Sequence, residues 1–185
     1  MILTDFKLPT YQLARCWIDE LPDIGKLTSL THTVKIDTAN AIIARSRRVA
    51  IEWLVPIGFP MYGLLGGEMS AAAEGFTIKL ATTDKPLANF EGNIASMTSD
   101  VVRCGLLEEY AQAVMNGMSA AANKIHTLPR ATLICNIAAC GMVGSSEMIF
   151  SALGKALVNL LVMSEEPNTK NVGEMLAKLN PQANQ

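Results

Sequence analysis

Two long segments of this chain repeat apolar residues at helical spacing, and each sits beside a segment that alternates with period two. The first places Leu107, Tyr110 or Ala111, Val114, Met118, Ala121 and Ile125 on one stripe. The second places Ile149, Ala152 or Leu153, Ala156, Leu157 and Leu160 on one stripe. A helix with one apolar stripe must bury it against another layer. Between the two, Leu133, Cys135, Ile137 and Ala139 alternate with Thr132, Ile134 and Asn136, the period of a buried strand. Upstream, Val34 and Ile36 alternate with Lys35 and Asp37, and Val49, Ile51, Trp53 and Val55 share one face opposite Glu52. Phe76, Ile78 and Leu80 form a further inward row, and residues 90–97 are expected to return as its hairpin partner. The pattern predicts an α+β fold: a two-layer sandwich with a small, mostly antiparallel sheet and two helices on one face.

The ends read differently. Leu13, Trp17 and Leu21 are four apart, which predicts a short helix stopped by Pro22. Residues 164–171 are polar, and Val172, Met175, Leu176 and Leu179 predict a last short helix. The expected organisation is a helical extension over 1–30, the sandwich over 31–163, and a linker with a short helix over 164–185. Residues 55–65 are apolar but interrupted by prolines and glycines, so they read as a loop or irregular strand that needs cover. Phe59, Met61, Tyr62 and Leu64 are therefore the candidate contacts of a homodimer. Residues 64–75 are Gly- and Ala-rich and read as a connection.

Half the residues are hydrophobic and 17% are charged, which excludes a mostly disordered chain. The net charge of −2 disfavours a dedicated nucleic-acid binder; Arg45, Arg47 and Arg48 are the one dense basic cluster, the candidate contacts for RNA or the ribosome. The cysteines at 16, 104, 135 and 140 form no CxxC pair and lie far in sequence from His32 and His126. No metal or cofactor is expected from that spacing. The N-terminus lacks the basic and apolar regions of a secretory signal, and reduced thiols suit a cytoplasmic protein. No apolar run is long enough to span a membrane. No motif for nucleophilic or acid–base catalysis stands out, and no GxxxxGK[ST] loop is present. In the loop after residue 140, Gly141 and Gly144 break the strand and Ser145 is expected to cap the second helix. Helix-start amides there could hold an anion.

In order and spacing, residues 74–162 resemble the fourth domain of translation elongation factor G. The stretch "FTIKLATTDKPLANFEGNI" is similar to that family's hairpin with a proline-containing turn. Glu109, Tyr110, Ala113, Val114, Gly117 and Met118 match its first helix, and Ser145, Ser146, Glu147, Phe150 and Ala152 match its second. The resemblance implies the same two-layer sandwich, with a left-handed β-α-β crossover. It also implies two tip loops, here Gly66, Gly67 and Glu68, and Gly141, Met142, Gly144 and Ser145. The family's first tip is basic and its second carries a histidine and an aspartate. Neither feature is present here, so a translocation role does not carry over.

Three classes of function fit these residues. The expected one is a non-enzymatic binding or assembly module of the elongation-factor type that associates with itself. An RNA- or ribosome-associated protein is the second. The third is a small-molecule enzyme on the same fold, as in the similar formaldehyde-activating enzymes, with His32 or Cys140 lining a pocket.

Overall fold

The computed structural model describes residues 1–4, 6–38, 42–56, 60–97 and 100–180. Its strands are β1 (Ile2–Leu3), β2 (Leu13–Ile18), β3 (Leu30–Ile36), β4 (Arg47–Val55), β5 (Met61–Ala71), β6 (Phe76–Ala81), β7 (Val102–Cys104) and β8 (Ala131–Gly141). The helices are α1 (Ala111–Ala122), α2 (Glu147–Val162) and α3 (Thr169–Lys178). All strands join one sheet in the order β1-β2-β4-β5-β8-β6-β3, with β7 on β8. Every pairing is antiparallel except β6 with β8, between which α1 lies in the chain. The long β8 pairs with β6 through residues 131–135 and with β7 through 139–141.

The α+β reading holds, with both long helices in one layer. The rows Val49, Ile51, Trp53, Val55 on β4 and Phe76, Ile78, Leu80 on β6 face the helices, as alternation required, and bury with Val114, Met118, Leu153 and Leu157. The helices pack against each other closely. A Cβ on Gly117 would lie 2.2 Å from the Ser151 carbonyl oxygen, and one on Gly154 would lie 2.7 Å from that of Val114. Gly117 therefore serves helix–helix approach. Tyr110 stacks on Phe150 with ring centroids 4.8 Å apart where the two helices begin.

Four sequence expectations are corrected. Residues 13–18 form strand β2 at the sheet's far side, with Ala14, Cys16 and Ile18 buried on the helix side. Within the first 30 residues, β1 and β2 thus join the same sheet where a helical extension was expected. Residues 61–71 form β5, a central strand between β4 and β8. Gly66 and Gly67 lie inside it at a β-bulge, where a Cβ on Gly67 would come within 2.4 Å of the Ile134 carbonyl oxygen. They are not a tip loop, and Glu68 beside them pairs with Lys26. Finally, residues 90–97 form no strand with β6. They turn, end in a single 3-10 turn (Ile94–Met97), and cross the sheet's second face.

That second face carries its own core. Phe90, Ala95, Val102 and Cys104 pack on Trp17, Ala50, Leu54, Tyr62, Leu64, Ile137 and Ala139. Burying one phenylalanine contributes about 1.5–3 kcal/mol, so a short segment suffices to cover this part of the sheet. α3 starts with a capping box between Asn168 and Asn171 and buries Val172 and Leu176 in the helix-side core.

Candidate functional site

The loop 141–146 joins the end of β8 to α2. Ser146, not Ser145, caps the helix: its hydroxyl accepts from the Ile149 amide at 3.4 Å. Ser145 instead ties the loop to the neighbouring strand. Its Oγ accepts from the Gly141 amide at 2.9 Å and donates to the Tyr62 carbonyl at 2.7 Å. The Val143 and Gly144 amides donate to the Asp100 carboxyl at 3.0 and 2.8 Å. A Cβ on Gly144 would approach Asp100 Oδ2 to 2.9 Å, so glycine makes room for that carboxyl. The loop amides of Val143 and Gly144 are thus filled by the chain's own Asp100 side chain. Met142 and Val143 stand out at the tip, 52% and 87% exposed.

Beneath the 90–97 segment lies a buried polar cluster that pattern reading did not single out. Glu52 on β4 is fully buried. Its Oε2 accepts from Arg15 at 2.6 Å, and its Oε1 accepts from the Tyr62 hydroxyl at 2.8 Å and the Ile94 amide at 2.9 Å. Arg15 also donates to the Gly92 carbonyl at 2.9 Å and lies over the Trp17 ring, 4.6 Å from its centroid. Burial, then the adjacent Glu52, pushes the Tyr62 phenol well above its ordinary pKa. The hydrogen bonds of the cluster join β2, β4, β5 and the covering segment, so it works as a clamp. The signal for it was in the sequence: one glutamate inside the apolar run "VAIEWLV". A buried acid there demanded partners.

A smaller chain of hydrogen bonds runs over β3 and β6. Thr31 and Thr82 share a bond of 2.7 Å, Thr82 donates to Glu108 Oε2 at 2.6 Å, and Glu108 Oε1 meets His32 Nε2 at 2.7 Å. The Thr82 and His32 contacts hold the Glu108 carboxyl below its ordinary pKa. Cys140 is buried and its thiol donates to the Gly105 carbonyl at 3.1 Å. Burial pushes that thiol up to about 12, which keeps it protonated at neutral pH. His32 and Cys140 lie on strands separated by β6, and the structure does not bring them to one pocket.

The basic cluster is also taken apart. Arg47 is buried and donates to the Leu160 and Met163 carbonyls at 3.1 and 2.9 Å, closing the C-terminal end of α2. Arg48 points to the opposite face and donates to the Asp19 carbonyl at 2.8 Å. Arg45 pairs with Glu166 at 2.9 Å. The three do not share a phosphate-facing surface. The expected dimer contacts fare likewise: Met61, Tyr62 and Leu64 are 6%, 1% and 0% exposed, inside the chain's own core. The segment needs no partner for cover at those positions; Phe59 lies outside the described residues.

Among the described residues no group of three His, Cys, Asp or Glu is placed to hold a metal, and no helix is long and apolar enough to cross a membrane. In comparison with known proteins, no family model, no curated protein and no solved structure matches the chain.

Proposed function

We propose that the chain is a non-enzymatic assembly module, of the kind suggested by its likeness to the fourth domain of elongation factor G, and that it pairs with a second copy along β3. The observation that carries this is the edge of β3, which ends the strand order and, among the described residues, pairs on one side only, with β6. An edge strand presents a row of main-chain donors and acceptors to any second strand. β3 is seven residues long, and its Val34 and Ile36 are only half-covered. The placement of α1 and α2 in one layer, with β6 and β8 parallel, supports the likeness; the missing 76–97 hairpin departs from it.

A two-fold axis makes the pairing antiparallel. Centred on Val34, it sets Val34 against its copy, His32 against Ile36, and Thr33 against Lys35. Centred on Thr33, it sets His32 against Val34 and Thr31 against Lys35. Neither register opposes Lys35 to itself, and each cross-strand pair contributes a few tenths to about 1 kcal/mol. Sedimentation of the wild-type chain across the micromolar range should give a concentration-dependent mass approaching two chains. Thr33 is exposed, so Thr33→Lys keeps the fold, which circular dichroism checks. The introduced lysine faces Lys35 in the first register and its own copy in the second, and should abolish the dimer. A wild-type mass of one chain throughout that range overturns the proposal.

A further inference from the structure

The geometry points to a binding site for a small organic cation, an alkyl or arylalkyl ammonium, in the groove between the C-terminal end of α2 and α3. The groove is open to solvent and has a volume of about 520 Å³, within the size range of small-molecule sites. Val162, Met163, Met175 and Leu179 line it, all partly exposed where they pack at the core's margin. This is an apolar floor, and its two thioethers adapt to the shape of an alkyl or aryl body.

The charge around that floor selects the head group. Glu165 and Glu174 line the groove, and neither makes an ion pair among the described residues. The adjacent Glu166 is engaged by Arg45, which leaves Glu165 to face a ligand alone. Among the described residues Lys178 is the one cation in the lining, so two carboxylates against one ammonium leave the described lining one charge negative. The C-terminal end of α2 adds no free negative pole, because buried Arg47 donates to its Leu160 and Met163 carbonyls. The selection rests on the exposed carboxylates of the lining. An ammonium group with an apolar tail satisfies both parts of the groove. A carboxylate ligand would meet both glutamates.

Methionine methyl resonances report on the floor directly. Titrating the full chain with 4-phenylbutylammonium should shift the Met163 and Met175 methyl signals saturably, with the signals assigned by Met163→Leu and Met175→Leu. The alcohol 4-phenylbutanol and the anion 4-phenylbutyrate share the apolar body and should bind at least about tenfold more weakly. Glu165→Gln with Glu174→Gln should weaken the ammonium by about tenfold, and Lys178→Gln should strengthen it by about threefold, the scale of partly screened charge contacts. All three residues are exposed, and unchanged circular dichroism establishes that the variants fold. Shifts that never saturate, equal binding of the alcohol, or indifference to the glutamate substitutions would each overturn the site.

Discussion

A carboxyl group with no solvent exposure has to find its partners inside the protein, and Glu52 finds four hydrogen bonds from three residues. Each partner belongs to a different part of the chain, so the acid converts its own burial into a constraint on architecture. Glu52→Gln keeps the shape but removes the ion pair, leaving the Arg15 guanidinium facing a neutral amide. We expect a loss of about 2–3 kcal/mol, at or below the low end for broken buried pairs, because the Arg15 side chain keeps 23% exposure and can still reach water. Tyr62→Phe removes one donor to the charged carboxylate but leaves the ion pair, and should cost about 1.5 kcal/mol, the low end for a hydrogen bond to a charged group. Urea denaturation of both variants checks the order. A glutamine variant as stable as wild type would show that the clamp contributes nothing. Individual residues were partly legible from sequence: the inward rows of β4 and β6 followed from alternation alone. Arg47 was not, because a solvated arginine and one that caps a helix over a hundred residues away look identical in one dimension.

At the scale of elements, the errors share a physical origin. Leu13, Trp17 and Leu21 are four apart, and four residues are one helical turn but also two strand periods. Only the pairing with β4 decides between them, and that contact is far away in sequence. The glycines of 61–71 read as breaks because glycine weakens an isolated strand; at Gly66 and Gly67 the neighbouring strands come so close that only glycine fits. Gly117 separates the two effects. By helix propensity, Gly117→Ala should stabilise α1 by up to about 1 kcal/mol. The structure sets the new methyl against the Ser151 backbone, 2.2 Å from its carbonyl oxygen, and backbone cannot rotate away. We expect the melting temperature to fall, since the helices must part or tilt to admit the methyl. A rise would mean that the interhelical approach is loose enough to absorb it.

On the scale of the whole molecule, one sheet serves two cores. Its strands send alternate residues to the helices and to the 90–97 cover, so both cores depend on the same hydrogen-bond ladder. The termini are drawn in as well. Trp53 donates to Gln12 at 3.1 Å, and Gln12 donates to Asn180 at 2.9 Å, which links β4 to both ends of the chain. This argues against the expected division at 30 and 163, which the helix reading of residues 10–21 and the polar stretch 164–171 suggested. The two tryptophans report on the two cores separately, Trp53 on the helix side and Trp17 on the covered side. In a Trp17→Phe chain, fluorescence follows the helix-side core; in a Trp53→Phe chain, it follows the other. Circular dichroism of the same samples follows the secondary structure as a whole. Because neither core can dissolve without freeing the strands that build the other, fluorescence and dichroism should change together in each variant as urea rises. A clamp around Glu52 that opened on its own would give a different result in the Trp53→Phe chain alone. There the fluorescence of Trp17, which touches Arg15, would change at a lower urea concentration than the dichroism. That split would make the 90–97 cover a separately unfolding layer, and the shared ladder would no longer account for the stability of both faces.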